Sequence, residues 1–180
     1  MKKILVFITM VMFAQAIYAQ YQPCEVIMKN GTKREGTAKI PDELDTRVTF
    51  KPNGAGENEK IPSKDIRTLI FKDGDKTTEM DYLYVKVNET FAIQVQWAWI
   101  ILISRGAVNM YYRQDKPNVL YCHREGEKYA LCVPVIGYAS KMATYFEDYP
   151  ELAQKIKNKA AGYGMNNISD IVAEYNAWKK

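Results

Sequence analysis

The chain has 180 residues, 26% of them charged and 47% hydrophobic, with a formal net charge of +4 at neutral pH. This balance excludes a disordered polar tail, a collagen-like repeat and a protein of many membrane spans. The single histidine, His123, excludes a zinc centre built from several histidines and leaves a Ser-His-Asp triad only one residue to use.

The first residues read MKKILVFITMVMFAQAIYAQ. Lys2 and Lys3 precede an apolar run from Ile4 to Phe13, and the small residues Ala14, Ala16 and Ala19 follow. That order predicts a signal peptide over residues 1–19, cut after Ala19 or, three residues earlier, after Ala16. The apolar run falls short of the ~20 residues that a spanning helix needs. The expected location is therefore the periplasm or the cell exterior. Loss of Lys2 and Lys3 brings the remaining chain close to neutral, so no nucleic-acid partner is expected.

Beyond the leader, Cys24 to Lys29 reads as a strand that turns at Asn30-Gly31, a pair that tolerates positive φ. Thr32 to Ile40 returns, with Gly36 as a bulge or bend. Arg47 to Lys51 is a strand with Val48 and Phe50 on one face, and Pro52 to Asn58 is a loop. Ile61 to Ile66 reads as one helical turn capped by Ser63. Thr68 to Lys72 and Lys76 to Val87 form a hairpin about Asp73-Gly74. Phe91 to Ile103, FAIQVQWAWIILI, is the most apolar stretch after the leader. Gln94 and Gln96 share one strand face, and Val95, Trp97, Trp99, Ile101 and Ile103 share the other; past Ala98 both faces are apolar, as expected of a central strand covered on both sides. Its length and two glutamines argue against a transmembrane span in the mature chain. Ala107 to Arg113, Val119 to His123 and Lys128 to Val135 complete the strands.

The period then changes. Ala139, Met142, Ala143 and Phe146 form one helical stripe. A second helix starts at Asp148-Tyr149-Pro150-Glu151, with Asp148 as cap and Leu152, Ala153 and Ile156 as its apolar side. Asn167 caps a third, whose stripe is Ile168, Ile171, Val172, Tyr175 and Trp178. Strands first and helices last predict an α+β fold. We expect an antiparallel β-barrel or bent sheet over residues 20–136, with the short helices of residues 137–180 packed on it in one domain, since such helices are marginal alone.

Little in the sequence carries chemistry. Cys24, Cys122 and Cys132 allow one bridge and one free thiol, and Cys122 with Cys132 is one of three pairings. Cys122 beside His123 does not make a catalytic dyad, because adjacent strand residues point to opposite faces. Asp73, Asp75, Glu79 and Asp81 cluster near a turn without calcium-loop spacing, so no metal site is assigned. No catalytic residue and no cofactor are assigned either. Aromatics are abundant, and Tyr82, Tyr84, Tyr111 and Tyr112 fall on predicted strands where an open sheet face would let them grip a ligand. Trp97 and Trp99 are expected in the core.

Two stretches carry a resemblance. VIMKNGTKREGTAKI, followed by RVTF and IPSKDIRTLIF, resembles the opening of an uncharacterised exported protein family of the Bacteroidetes group. The tail YFEDYPELAQKIKNKAAGYGMNNISDIVAEYN resembles the end of such proteins, with an F-x-D-x-P-x-L stretch, a lysine-rich helix and a closing Tyr-Asn. Tyr149 stands where that tail often has cysteine, so a disulfide formed there has no counterpart here. The resemblance implies export and hands over no activity. The expected function is a non-enzymatic binding or interaction module for a protein, peptide or glycan. A carboxylate-based hydrolase is the alternative.

Overall fold

The computed structural model describes residues 21–88 and 93–180. The predicted leader and Phe91 lie outside the described residues, as does the side chain of Gln94. The fold is α+β, with ten strands followed by three short helices. It forms two compact units, one ending at Tyr82 and the other spanning Leu83–Lys180.

The first unit is an antiparallel sheet. Its strands are β1 (Gln22–Met28), β2 (Lys33–Ala38), β3 (Arg47–Pro52), β4 (Glu59–Pro62), β5 (Ile66–Asp73) and the first half of β6 (Lys76–Asn88). They lie in the order β6-β5-β1-β2-β3-β4. Val48 and Phe50 are buried together, as alternation requires, along with Val26, Leu69, Phe71 and Met80. Two local expectations change. Gly36 makes no bulge: it pairs in register with Cys24 and Pro52. A Cβ there would stand 2.1 Å from the Lys51 carbonyl oxygen, so glycine is required by close approach. Ser63 does not cap the short 3₁₀ turn Ser63–Asp65; its buried hydroxyl donates instead to the Asp45 carbonyl at 2.7 Å.

The second unit is a closed five-strand barrel. The second half of β6 is followed by β7 (Ile93–Ser104), β8 (Asn109–Tyr112), β9 (Leu120–His123) and β10 (Ala130–Cys132). Neighbours run β6-β7-β8-β9-β10, and β10 closes on β6 in parallel, with Ala130 opposite Val85. The barrel is therefore mixed rather than wholly antiparallel. Val85, Ala98, Ile100, Tyr111, Tyr121, Ala130 and Cys132 fill its interior. The opposite faces of β8 and β9 carry Val108, Met110 and Cys122, which pack under the helices α1 (Tyr138–Tyr145), α2 (Pro150–Lys157) and α3 (Ile168–Trp178). The helices bury most of their predicted stripes there: Met142, Ala143 and Phe146; Leu152 and Ile156; Ile168, Ile171, Val172 and Tyr175; Ala139 and Ala153 are half-buried, and Trp178, predicted to close the third stripe, is 44% exposed. The Asn176 side chain fastens α3 to the sheet, accepting from Val108 N at 2.8 Å and donating to Val108 O at 2.9 Å.

Ala98, Trp99 and Ile100 are all fully buried, so β7 is covered on both faces here, as expected. Ala98 and Ile100 point into the barrel, which places Val95, Trp97, Trp99, Ile101 and Ile103 on the outer face. A five-strand barrel has little interior volume, and alanine fits where indole does not. Trp99 is fully buried (0% exposed), whereas Trp97 is 45% exposed, so the core expectation holds for the first and is corrected for the second.

The cysteines follow from the same alternation. Cys122 pairs in register with Leu131, and Cys132 with Tyr121. Cys122 faces the helices while Cys132 faces the barrel interior, so the possible Cys122–Cys132 pairing is not made, and all three cysteines are free thiols. Burial pushes the Cys122 thiol up to about 12.

Two outcomes are expected. Trp99→Ala should destabilise by about 3–5 kcal/mol, and Trp97→Ala by less than about 1 kcal/mol, as read by urea unfolding. A thiol reagent should find the buried cysteines unreactive in the native protein and all three reactive after unfolding without reductant.

Candidate functional site

Two clusters of the Leu83–Lys180 unit bear on function. The first is polar. Arg124 follows β9, and its guanidinium lies 4.5 Å from the Tyr145 ring centroid and 4.9 Å from that of Tyr175. Its Nη2 donates to the Tyr145 carbonyl at 2.5 Å and to Asp148 at 3.2 Å. Asp148 also accepts from the Tyr175 hydroxyl at 2.5 Å and from Lys179 at 3.2 Å. Glu127 accepts from the Arg124 backbone amide and from the Tyr145 hydroxyl. Asp148 therefore does not cap α2, whose first turn has no side-chain cap, and Asn167 makes no cap bond to α3. Burial raises the Asp148 pKa, but the hydrogen bonds from Tyr175 and Lys179 and the Arg124 charge outweigh it, and the carboxyl is held below its ordinary value. Burial first, and then the bond to Asp148, push Tyr175 up to about 12. The two acids are thus engaged in joining hairpin to helices. His123 is half-buried, its Nε2 3.2 Å from the Glu127 carbonyl.

The second cluster is aromatic and lies on the outer barrel wall. The Tyr84 and Trp97 rings meet at 5.4 Å, inclined by 41°. Tyr84 and Tyr129 immediately precede the paired residues Val85 and Ala130, which point inward, so both stand on the outward face of adjacent strands. The Lys86 ammonium sits 5.4 Å from the Tyr129 ring centroid, and Tyr129 is exposed. Trp97, Tyr84 and Tyr129 thus form a row across β7, β6 and the start of β10, where neighbouring strands stand ~4.8 Å apart. Exposed Val95 extends the row along β7.

Of the four tyrosines expected to grip a ligand, only Tyr84 belongs to this ledge. Tyr82 is buried, and burial raises its pKa. Tyr111 is sealed inside the barrel opposite Tyr121, and Tyr112 is half-buried opposite Leu120. The structure does not gather these four residues. Trp97, Tyr129 and Lys86, which share the ledge with Tyr84, were not among the expected contact residues. The available signal was Ala98 beside Trp97 and Ala130 beside Tyr129, small residues whose neighbours must face outward if the alanines line a narrow interior.

At the end of the β5–β6 ladder far from its turn, Asp81 is buried and accepts the Thr68 hydroxyl at 2.7 Å. Among the described residues, no three His, Cys, Asp or Glu side chains gather as metal ligands, and no helix is long and apolar enough to cross a membrane. Comparison with protein-family models, curated proteins and solved structures finds no match to this chain.

The lowered Asp148 pKa carries a sign. Its contribution to stability is complete above the ordinary carboxylate value of about 4 and is lost as pH falls through the folded-state value. Melting temperature should therefore fall on acidification through this range, and Asp148→Asn should lower it at neutral pH and flatten its acid slope. Arg124→Lys should not restore what Arg124→Met loses, about 2 kcal/mol, because an ammonium does not fill the planar slot between two rings.

Proposed function

We propose that the protein is an exported, non-enzymatic binding module acting in the bacterial envelope or outside it, and that its contact surface is the ledge of Trp97, Tyr84 and Tyr129 with Lys86. The export half of the reading draws on the composition of residues 1–19 and on the resemblance of both ends of the chain to exported Bacteroidetes proteins. The binding half draws on one observation, an indole 45% exposed and braced by a second ring on a paired sheet wall. Isolated exposed apolar residues are ordinary, whereas a braced row of aromatics rimmed by a cation is a recognition surface.

The proposed ligand is a glycan. On this wall β6 lies between β7 and β10, and β10 lies between β9 and β6, so neither offers a free edge for a peptide to join as a further strand. A sugar ring needs no edge. Its C–H face covers an aromatic ring while its hydroxyls stay in water, and burying the apolar area contributes about 25 cal/mol per Å². Lys86 adds a hydrogen-bond donor and favours sugars bearing a negative charge.

A glycan-array screen followed by calorimetry tests this. Trp97→Ala should weaken binding at least about tenfold, equivalent to ~1.4 kcal/mol, and Tyr84→Ala should weaken it less, both without loss of fold. Equal glycan affinity in Trp97→Ala and wild type, or selective retention of unglycosylated peptides, would overturn the proposal.

A further inference from the structure

The two most exposed large apolar side chains among the described residues are neighbours in sequence. Val135 is 76% exposed and Ile136 79%, both on the link between β10 and α1. The link holds them outward. Val133 and Pro134 are buried just before them, and Gly137, at φ 71°, turns the chain into α1 just after them. Single exposed apolar residues are ordinary, but two consecutive ones fixed between anchors form an apolar tip.

The tip stands at one end of the barrel, among positive charge. Val133 N donates to the carbonyl of Leu120, the first residue of β9, at 2.8 Å, so the link runs beside the β8–β9 loop of residues 113–119. Lys116 of that loop is exposed. Lys141 is exposed as well, and its stem runs back along the link: a Cβ on Gly137 would stand 3.6 Å from Lys141 Cε. Neither lysine makes an ion pair among the described residues. The one acid within residues 113–119 and 133–141 is Asp115, which accepts two hydrogen bonds from Arg113 at 3.0 Å.

We propose that this end of the barrel docks on an anionic lipid bilayer, a contact separate from the aromatic ledge. Val135 and Ile136 enter the acyl region, while Lys116 and Lys141 meet the anionic headgroups. Two aliphatic side chains alone partition weakly and reversibly, and attachment takes an apolar and an electrostatic signal together; this end carries both. A stable protein interface buries about 800 Å² on each partner, far more than a tip of two residues offers, whereas a bilayer accepts an insertion of any width. The lysines need no fixed partners either, only a charged surface within a Debye length of ~8–10 Å.

Cys24, Cys122 and Cys132 are buried, so a thiol-reactive bimane reports only on an introduced cysteine. Ile136→Cys carries the probe, and Glu125→Cys, in the turn after β9 at the opposite end of the barrel, carries it as the control; both positions are exposed. The vesicles are phosphatidylglycerol mixed with phosphatidylcholine, or phosphatidylcholine alone. Emission from position 136 should move to the blue with the anionic vesicles, and emission from position 125 should not. Lys116→Glu with Lys141→Glu should weaken the response at least about tenfold. Trp97→Ala should leave it unchanged, which separates this contact from glycan binding on the ledge. The assignment is overturned by a response at position 136 that is absent, equal with phosphatidylcholine alone, matched at position 125, indifferent to the two lysines or lost in Trp97→Ala. A blue shift produced by raising the protein concentration without lipid also overturns it, in favour of a second copy of the chain.

Discussion

Arg124 is the residue through which the helical end of the chain is held to the barrel. Its guanidinium lies between the rings of Tyr145 and Tyr175 and binds the Tyr145 carbonyl and Asp148. Tyr145 is the last residue of α1, Asp148 lies in the link to α2, and Tyr175 belongs to α3. The α1 carbonyl it binds is one that no further turn of helix would satisfy, and a cation there also suits the helix dipole. Helices of eight, eight and eleven residues gain little from their own hydrogen bonds. Burial against β8 and β9 stabilises them, and that burial depends on orientation. Hydrophobic contact has no direction of its own, whereas a planar cation slotted between two rings fixes both the angle and the register of the helices.

Closure of the barrel explains where the exposed aromatics stand. Five strands enclose a narrow interior, filled by two tyrosines, two alanines and aliphatic or thiol side chains. The indoles of β7 are then turned outward. Trp99 is fully buried there, and Trp97 is left open to solvent beside Tyr84. The ledge is in this sense a product of barrel geometry: the same alternation that places Ala98 inside places Trp97 outside.

Local signals in the sequence translated directly into structure. Asn30-Gly31 and Asp73-Gly74 each join two antiparallel strands, and the helical stripes ending in Phe146, Ile156 and Tyr175 are the faces that are buried. What failed to show was non-local. The parallel closure of β10 on β6 joins residues over forty positions apart and leaves no periodic trace. Without it, Trp97 reads as core alongside Trp99. The strand β4 was hidden because Ile61-Pro62 precedes a 3₁₀ turn, so the segment reads as the turn alone. Asp148 occupies a sequence position suited to capping, yet an arginine, a tyrosine and a lysine from other elements outbid the local backbone amides for its oxygens. A charged partner makes a stronger hydrogen bond than a neutral amide, and only the tertiary fold reveals which partners arrive. The four tyrosines failed as a group because strand membership says nothing of which wall, interior or exterior, a residue joins.

The ledge proposed as a contact surface is built on regular elements rather than on long loops, and this bears on how it would work. Trp97 and Tyr84 already restrict each other's rotamers, so a ligand covering them forfeits little side-chain entropy, a cost of about 0.5–1.5 kcal/mol for each flexible side chain it must otherwise immobilise. Asp148 and Glu127 give their oxygens to Arg124, Tyr175, Lys179 and Tyr145. Freeing either for proton transfer would loosen the contact that orients the helices, so stability and acid–base chemistry would compete for the same carboxylates. Recognition by exposed rings and a rim cation, as proposed for the ledge, would make no such demand on them.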